Sequence, residues 1–443
     1  MPLAAVSSSV CVATYCLTRI IISAESPNHG DNSTSTLSLA DMLPARYNLT
    51  DENIEAARDE LSCLLTPERV ITDIGALIAH SSTEWSPAPG GDSVRPHLIV
   101  TPESTEEVSA IAKICHRRRI PMIAFSGGTS LEGTLAATHG GVCLDFVRMK
   151  RIIAIHGQDM DVVVQPGVGY AELNEKLAKQ NFFFPPDPGP GAQIGGMVSQ
   201  GCSGTNAYRY GTMKDWVLGL TIVLADGTTI KTRHRPRKSS AGYNLTQLMV
   251  GSEGTLGIVT EASLKITKKP ENVKVAIAAF PTTHKAVEVA VRIVQNDMPV
   301  AAMELLDDVT MRAVNQSGYC NRDYPQVPTL FLKFAGTSNS VQDQIKKVKE
   351  FSRDASCASF EVASDEMEAE SLWQARKTAL WSLMTLKNDP NDKFLSTDVA
   401  VPISRLADIV EETHRRLQAS GLIGSCLGHV GDGMFPFSSS LSG

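Results

Sequence analysis

Three glycine-rich stretches and one histidine turn are where residue type and spacing in this chain could do chemistry. The first is Phe125-Ser126-Gly127-Gly128-Thr129-Ser130. Glycines lack a Cβ, so several backbone N–H groups can converge on one anion, and the hydroxyls add donors. The run matches neither GxGxxG nor GxxxxGK followed by Ser or Thr, which leaves a dinucleotide fingerprint and a P-loop unsupported. Alone, it reads equally well as a plain strand-to-helix turn. The second stretch, residues 185–212 (PPDPGPGAQIGGMVSQGCSGTNAYRYGT), holds seven glycines and too few large apolar side chains to build a core. A structureless loop of that length is usually functional or disordered, and Ile194, Met197, Val198, Tyr208 and Tyr210 provide anchors against disorder. Backbone lying against an extended, flat, phosphate-bearing ligand explains the small residues better than a structural coil. The third stretch, Gly251 to Val259 (GSEGTLGIV), opens a strand with three glycines. Each signal is modest; three in one region reinforce one another. The fourth, His429-Val430-Gly431-Asp432-Gly433, is a glycine-flanked turn that would present an imidazole, although a lone histidine is more often structural.

The elements that must position these residues alternate along the chain. Residues 51–64 read as a helix after a Thr50/Asp51 start signal. His97–Val100 and Pro121–Phe125 read as strands flanking a helix over 105–118, whose Val108, Ile111, Ala112 and Cys115 share one face. Strands are expected at 141–146, 152–155 and 161–165, then a helix at 170–179. Strands at 217–224 and 228–232 join through the hairpin turn Asp226-Gly227. A strand pair is expected over 255–266. After the break at Lys268-Lys269-Pro270 come a strand (273–280), helices (284–295 and 304–314), a strand (328–334) and helices (340–354 and 366–387). That order predicts a ferredoxin-like second domain. The expected class is therefore α+β, divided into a leader and linker (1–45), a helical segment (46–94), a first domain (95–270) and a second domain (271–443).

Composition narrows the function classes. The chain has 443 residues, 42% hydrophobic and 20% charged, with a formal net charge of -7. No basic stripe marks a nucleic-acid partner; the run 231–238 (KTRHRPRK) reads as one surface loop. Nine cysteines without a CxxC pair argue for a reducing compartment rather than a disulfide framework or zinc knuckle. Cys202 could be a reactive thiol, but a small-residue role is favoured. Residues 1–24 carry no acid and a single arginine, Arg19, with a Ser/Thr/Ala bias like that of a mitochondrial transit peptide; a secretory signal is the rival reading. No later run approaches the ~20 apolar residues of a membrane span.

The segments FSGGTSLEG, 185–212, RKSSAGYNLT and GSEGTLGIVTEASLKI resemble the FAD-binding PCMH-type domain of the vanillyl-alcohol oxidase family. Within it, MELLDD, PTLFLKFAG, LWQAR, STDVAVPISRL and GSCLGHVGDG are similar to the D-2-hydroxyacid dehydrogenases, and best to the mitochondrial D-lactate dehydrogenase branch. The resemblance runs from about residue 50 to residue 435. It implies a two-part FAD-binding domain followed by a ferredoxin-like cap, and one FAD. The pyrophosphate is then expected on Ser126, Gly127, Gly128, Thr129 and Ser130, with Ser126 where relatives carry a third glycine. The isoalloxazine and ribityl chain are expected along Pro188, Gly189, Gly195, Gly196, Ser203, Gly204 and Asn206, and the adenine end near Gly257, Ile258 and Val259. No histidine lies between Asp161 and Thr232, so the flavin is expected to be non-covalent.

Oxidising a D-2-hydroxy acid requires a cation for the carboxylate, a base for the hydroxyl proton, and a Cα–H facing flavin N5. Arg376, in LWQARKTALW, is the candidate clamp because a guanidinium bonds carboxylate bidentately; a surface helix arginine is the equal alternative. His429 is the candidate base and metal ligand. In the family its turn reads His-Val-Gly-Asp-Gly-Asn-Phe-His and, with a later Glu-His pair, holds a divalent ion such as Zn or Mn. Here Met434 and Pro436 replace the asparagine and the second histidine, and the chain stops before the pair. The expected cap is thus incomplete at its C-terminus and the metal site unfinished. The expected activity is oxidation of D-lactate or a related D-2-hydroxy acid, electrons passing to a carrier such as cytochrome c in the mitochondrion. The alternatives are D-2-hydroxyglutarate or glycolate oxidation, and an inactive flavin-binding isoform.

Overall fold

The computed structural model describes residues 46–82, 94–131, 133–387, 393–420, 423–431 and 433–441. The expected leader, and Asp432 of the histidine turn, lie outside the described residues.

Two sheets carry the glycine loops. The first begins after the helix Asp51–Leu65, whose N-cap Thr50 accepts from the backbone N–H of Asn53. Its strands are β1 (Val70–Ile71), β2 (Leu98–Val100), β3 (Met122–Phe125) and β4 (Val142–Asp145), in the order β1-β2-β4-β3. β4 runs parallel to both β2 and β3, so β2 and β3 also run parallel and the chain between them must make a crossover. The helix Thr105–Arg118 provides it, capped by Ser104 and burying Val108, Ile111, Ala112 and Cys115 as its periodicity predicts. The second sheet contains β5 (Ile152–His156) and β6 (Asp161–Val164). After β7 (Phe182–Phe183) come its other members, β8 (Val217–Val223), β9 (Thr229–Lys231) and β10 (Ile258–Lys265), in the antiparallel order β5-β6-β10-β8-β9. β7 pairs instead with β11 (Thr267–Lys268).

Two expectations about this half change. Residues 255–266 form not a strand pair but the single strand β10, with pairing to β8 irregular between Val259 and Glu261 and between Ser263 and Leu264. Residues 185–212 are not a coil: they contain the helices Ile194–Gln200 and Ala207–Tyr210, followed by Met213–Trp216. Glycine-rich composition hid them, yet Gly201 ends the first in a left-handed conformation, as helix C-termini favour. Ile194, Met197 and Val198 then anchor the stretch in the core with Val164, Leu173 and Leu264. The short helices Ile74–Ala79 and Leu245–Met249 were not anticipated.

The second half is built on one seven-stranded antiparallel sheet. Its strands are β12 (Asn272–Ala279), β13 (Val300–Leu306), β14 (Thr329–Gly336), β15 (Ser359–Val362), β16 (Lys393–Ala400), β17 (Ile423–Gly428) and β18 (Met434–Leu441), ordered β15-β12-β14-β13-β17-β18-β16. Helices Thr283–Gln295, Ser338–Asp354 and Leu406–Ser420 cover one face through Ala286, Ile293, Val348, Phe351 and Val410. Helices Asp308–Ser317 and Glu366–Met384 cover the other through Met311, Val314, Trp373 and Ala379. Fully burying a side chain such as Ile293 or Phe351 contributes about 1.5–3 kcal/mol, so both sheet faces are held by packing.

The helix expected over 304–314 is replaced by the end of β13 and a separate helix from Asp308. β13 is buried on both faces at every position, so it lacks the alternation that marks a half-exposed strand. The break falls at Asp307, whose carboxylate accepts from the backbone N–H of Thr310 and starts the helix. This correction turns Glu304 from a helix residue into a buried strand residue.

Candidate active site

The three glycine stretches converge on one cavity of about 440 Å³. Its wall includes Ser126, Gly127, Gly128, Thr129 and Ser130, then Pro188, Gly189, Gly195 and Gly196, then Gly257, Ile258 and Val259. Gly128 has φ +63, while Ser126 stays out of the positive-φ region, so serine is tolerated there. A Cβ on Gly127 would stand 2.6 Å from the carbonyl oxygen of Gly191, so protein packing alone requires that glycine. Gly189 and Gly196 differ. Neither has positive φ, and a Cβ would meet nothing within 4 Å at Gly189 and only Ser126 Cβ, at 3.9 Å, at Gly196. Neither backbone conformation nor protein packing accounts for them; a flat ligand lying against the backbone does. On this test the cavity fits FAD.

Ser203, Gly204 and Asn206 do not line the cavity. Gly204 and Asn206, with Thr205 between them, form a clip around Asp187. Its Oδ1 accepts from the Asn206 N–H at 2.9 Å, and its Oδ2 from the Thr205 hydroxyl at 2.6 Å. A Cβ on Gly204 would clash with the same carboxylate. Burial pushes the Asp187 carboxyl above its usual range, and those two hydrogen bonds offset part of the rise. Wall residues without an earlier signal include Gln193, Glu253 and Asp398, the last from β16. Cys202 also lines the cavity, but burial lifts its thiol to about 12, so it is not a reactive thiolate.

The glycine stretch docks on the ends of β13 and β14. Arg209 Nη1 donates to the carbonyls of Pro299 and Ala335 at 3.2 and 2.7 Å, and the Tyr208 hydroxyl donates to the Met298 carbonyl. Beside this junction lies a charged cluster. Glu304 is 1% exposed; its Oε2 accepts from Arg376 Nε at 2.9 Å and its Oε1 is 2.6 Å from His429 Nδ1. Burial raises the Glu304 carboxyl, but the Arg376 guanidinium and His429 outweigh it and hold the group below the usual range. An ionised Glu304 makes Nδ1 a nitrogen that carries a proton. Arg376 thus lies in the structure not as a free surface cation but bonded through Nε to Glu304, with no other ion pair among the described residues. Glu304 escaped the sequence reading. Its one signal was a carboxylate inside the apolar run VAAMELL, a type rarely buried unless paired.

A second group, Asp307, His414 and Cys426, is close enough to suggest metal ligands. Its carboxylate is already saturated. Oδ1 accepts from the N–H and hydroxyl of Thr310 at 2.7 and 2.6 Å; Oδ2 accepts from His414 Nε2 at 2.8 Å and from the Cys426 N–H at 2.6 Å. Burial also pushes the Cys426 thiol far up, away from the thiolate a metal needs. His414 is a tie between helix and sheet through Asp307. At His429 itself, no set of three ligands assembles among the described residues. A divalent ion with three or more protein ligands therefore does not fit the donors described there.

Comparison with known proteins agrees with this geometry. A model described as "FAD binding domain" matches residues 96–233, and one described as "FAD linked oxidases, C-terminal domain" matches residues 269–437. The mitochondrial D-lactate dehydrogenase (cytochrome) of Kluyveromyces lactis is 44% identical over 418 residues, covering 93% of this chain and 70% of that protein. A probable mitochondrial D-lactate dehydrogenase of Danio rerio is 47% identical over 343 residues, covering 77% and 68%. The glycolate oxidase subunit GlcD of Bacillus subtilis is 33% identical over 341 residues, covering 76% and 72%. Among solved structures, an alkyldihydroxyacetonephosphate synthase shares the fold, with a TM-score of 0.73 at 21% identity over 92% of this chain and 84% of that one.

Proposed function

The chain belongs to the D-lactate dehydrogenase (cytochrome) family of FAD-linked oxidases, and we propose that it oxidises D-lactate, or a closely related D-2-hydroxy acid, to the 2-oxo acid in the mitochondrion. The observation that carries the reading is the Arg376–Glu304–His429 chain, which lies outside the cavity wall but whose Glu304 acts electrostatically on Asp187, the residue before the wall's Pro188. The cofactor is FAD, which when bound supplies hydride acceptance at N5. Ser126 to Ser130, Pro188, Gly189, Gly195, Gly196 and Gly257 to Val259 hold it. Residues 95–270 are accordingly the flavin-binding part and 271–443 the substrate-binding part.

Arg376 binds the substrate carboxylate with its terminal nitrogens while Nε stays on Glu304. This fixes the guanidinium plane before substrate arrives. His429 accepts the hydroxyl proton at Nε2, and Glu304 stabilises the imidazolium that results. The divalent ion implied by family resemblance does not fit the donors described, and no step depends on it. Electrons leave to a cytochrome, in keeping with the relatives' names.

The assignment of Arg376 is tested by Arg376→Lys in flavin-loaded protein. The expected result is a loss of about a hundredfold in kcat/KM for D-lactate, because the bidentate fork is gone. Unchanged kinetics would remove Arg376 from the site.

A further inference from the structure

Lys333 has no part in the reading above, yet it sits on the same face of the sheet. It lies on β14 opposite Ala302, and Phe331, two residues before it, lies opposite Glu304. Side chains two apart on a strand share a face, so Lys333 and Glu304 project to the same side of the sheet. Its ammonium stands 3.9 Å from the centroid of the Trp373 ring, one helical turn before Arg376. Among the described residues, no carboxylate lies within salt-bridge distance of it, the aromatic face being its neighbour. The charged groups around it are Asp187, Glu304, Arg376 and the exposed Lys377.

Charge balance gives this placement a meaning. Arg376 is already matched by Glu304 in a pair whose carboxylate is 1% exposed. A substrate carboxylate entering beside that neutral pair would gain hydrogen bonds from the guanidinium but no net counter-charge, while still losing its hydration. Asp187 adds a buried carboxyl rather than a cation, and Lys377 is exposed. Lys333 is a half-buried cation with no carboxylate in salt-bridge contact among the described residues; burial lowers its ammonium, and the more distant charges of Asp187 and Glu304 offset part of that. Trp373 holds it in position without neutralising it, since a ring face attracts a cation but carries no net charge.

We infer that Lys333 is a second carboxylate-binding residue, supplying the positive charge that balances the substrate's carboxylate while Arg376 supplies the fork. The inference rests on the substrate reading above and adds a residue to the site.

The test uses flavin-loaded protein and two ligands: oxamate, a non-reacting 2-oxo carboxylate, and D-lactate. Oxamate binding is read from the perturbation of the flavin spectrum, and the limiting rate of flavin reduction from rapid mixing with D-lactate. Lys333→Met should weaken both ligands by at least about tenfold and change the limiting reduction rate by less than about threefold, the split expected of a charge that binds substrate and transition state alike. Lys333→Arg should restore affinity to within about threefold by returning the charge. Lys333→Gln, the milder neutral change, must show the same loss and carries the test if the methionine variant does not take up flavin. Unchanged oxamate affinity in the neutral variants would overturn the inference, as would an arginine variant no better than methionine. If no D-2-hydroxy acid reduces the parent protein, the D-lactate reading fails on its own, and the oxamate arm still decides Lys333.

Discussion

The flavin cavity and the charged cluster are built on opposite plans. The cavity wall relies on glycine backbone: Gly127, Gly128, Gly189, Gly196 and Gly257 all line it, and at Gly189 and Gly196 neither backbone conformation nor protein packing asks for glycine. The cluster is made of side chains from four separate places, Glu304 on β13, Lys333 on β14, Arg376 on a helix, and His429 after β17. The difference teaches where each is vulnerable. A backbone cradle is lost by adding atoms; a side-chain network is lost by removing one charge, because its partners are then left buried and unanswered.

The largest effect is therefore expected at Glu304. Glu304→Gln removes the charge that holds both Arg376 and His429, and unfolding should become easier by about 3–5 kcal/mol, the cost of breaking a buried pair. Turnover of D-lactate should fall by at least about a thousandfold as clamp and base lose their common support. Denaturant melts and steady-state rates on one preparation check both; a variant with parental turnover would break the contrast drawn above.

Next comes the cradle. Gly189→Ala or Gly196→Ala adds a Cβ that meets nothing within 4 Å at the first and only Ser126 Cβ, at 3.9 Å, at the second, so the unliganded fold should keep its stability to within about 0.5 kcal/mol. Flavin affinity should nevertheless fall by about a hundredfold or more, measured by flavin retained after dialysis. Full retention would mean that the ligand does not approach the backbone there.

A smaller and pH-dependent effect is expected at Asp307, which ties His414 and β17 to the start of the helix Asp308–Ser317. The hydrogen bond from His414 to Asp307 raises the imidazole above its ordinary value despite burial. A group raised on folding contributes stability that is complete below its unfolded value of about 6.5 and fades as pH climbs through the folded value. Asp307→Asn should cost about 1–3 kcal/mol and flatten that slope. Melting temperatures across pH 5 to 9 test it; a slope that survives the substitution would contradict the assignment. Smallest of all, Cys202→Ala should change stability by less than about 1 kcal/mol, and the thiol should resist alkylation at neutral pH because burial suppresses its thiolate.

The same contrast explains what could be read in the sequence. The cradle was legible because glycine and proline mark backbone conformation locally, and the three stretches that the sequence singles out meet in one cavity. Ser203, Gly204 and Asn206 were harder: they lie off the cavity wall, and the Asn206 backbone N–H and the Cβ-free space at Gly204 answer Asp187, a distinction only three-dimensional contact reveals. The cluster was half legible: Arg376 and His429 were singled out with the help of family resemblance, while Glu304 and Lys333 were not. Glu304 lies in a strand buried on both faces, which removes the period-2 alternation and leaves a segment readable as helix. Lys333 is one lysine in an apolar strand, and nothing local says that its neighbour is Trp373. His414, in EETHRRL, looks solvated because its partner Asp307 stands more than a hundred residues away.

The central claim is that these two regions meet to oxidise a D-2-hydroxy acid. Its most direct test is anaerobic mixing of the flavin-loaded protein with D-lactate and, separately, with L-lactate, following the visible absorption of the oxidised flavin. The account predicts rapid bleaching with D-lactate and little with its enantiomer. Flavin that stays bound and oxidised in excess D-lactate, and with other D-2-hydroxy acids, would contradict it.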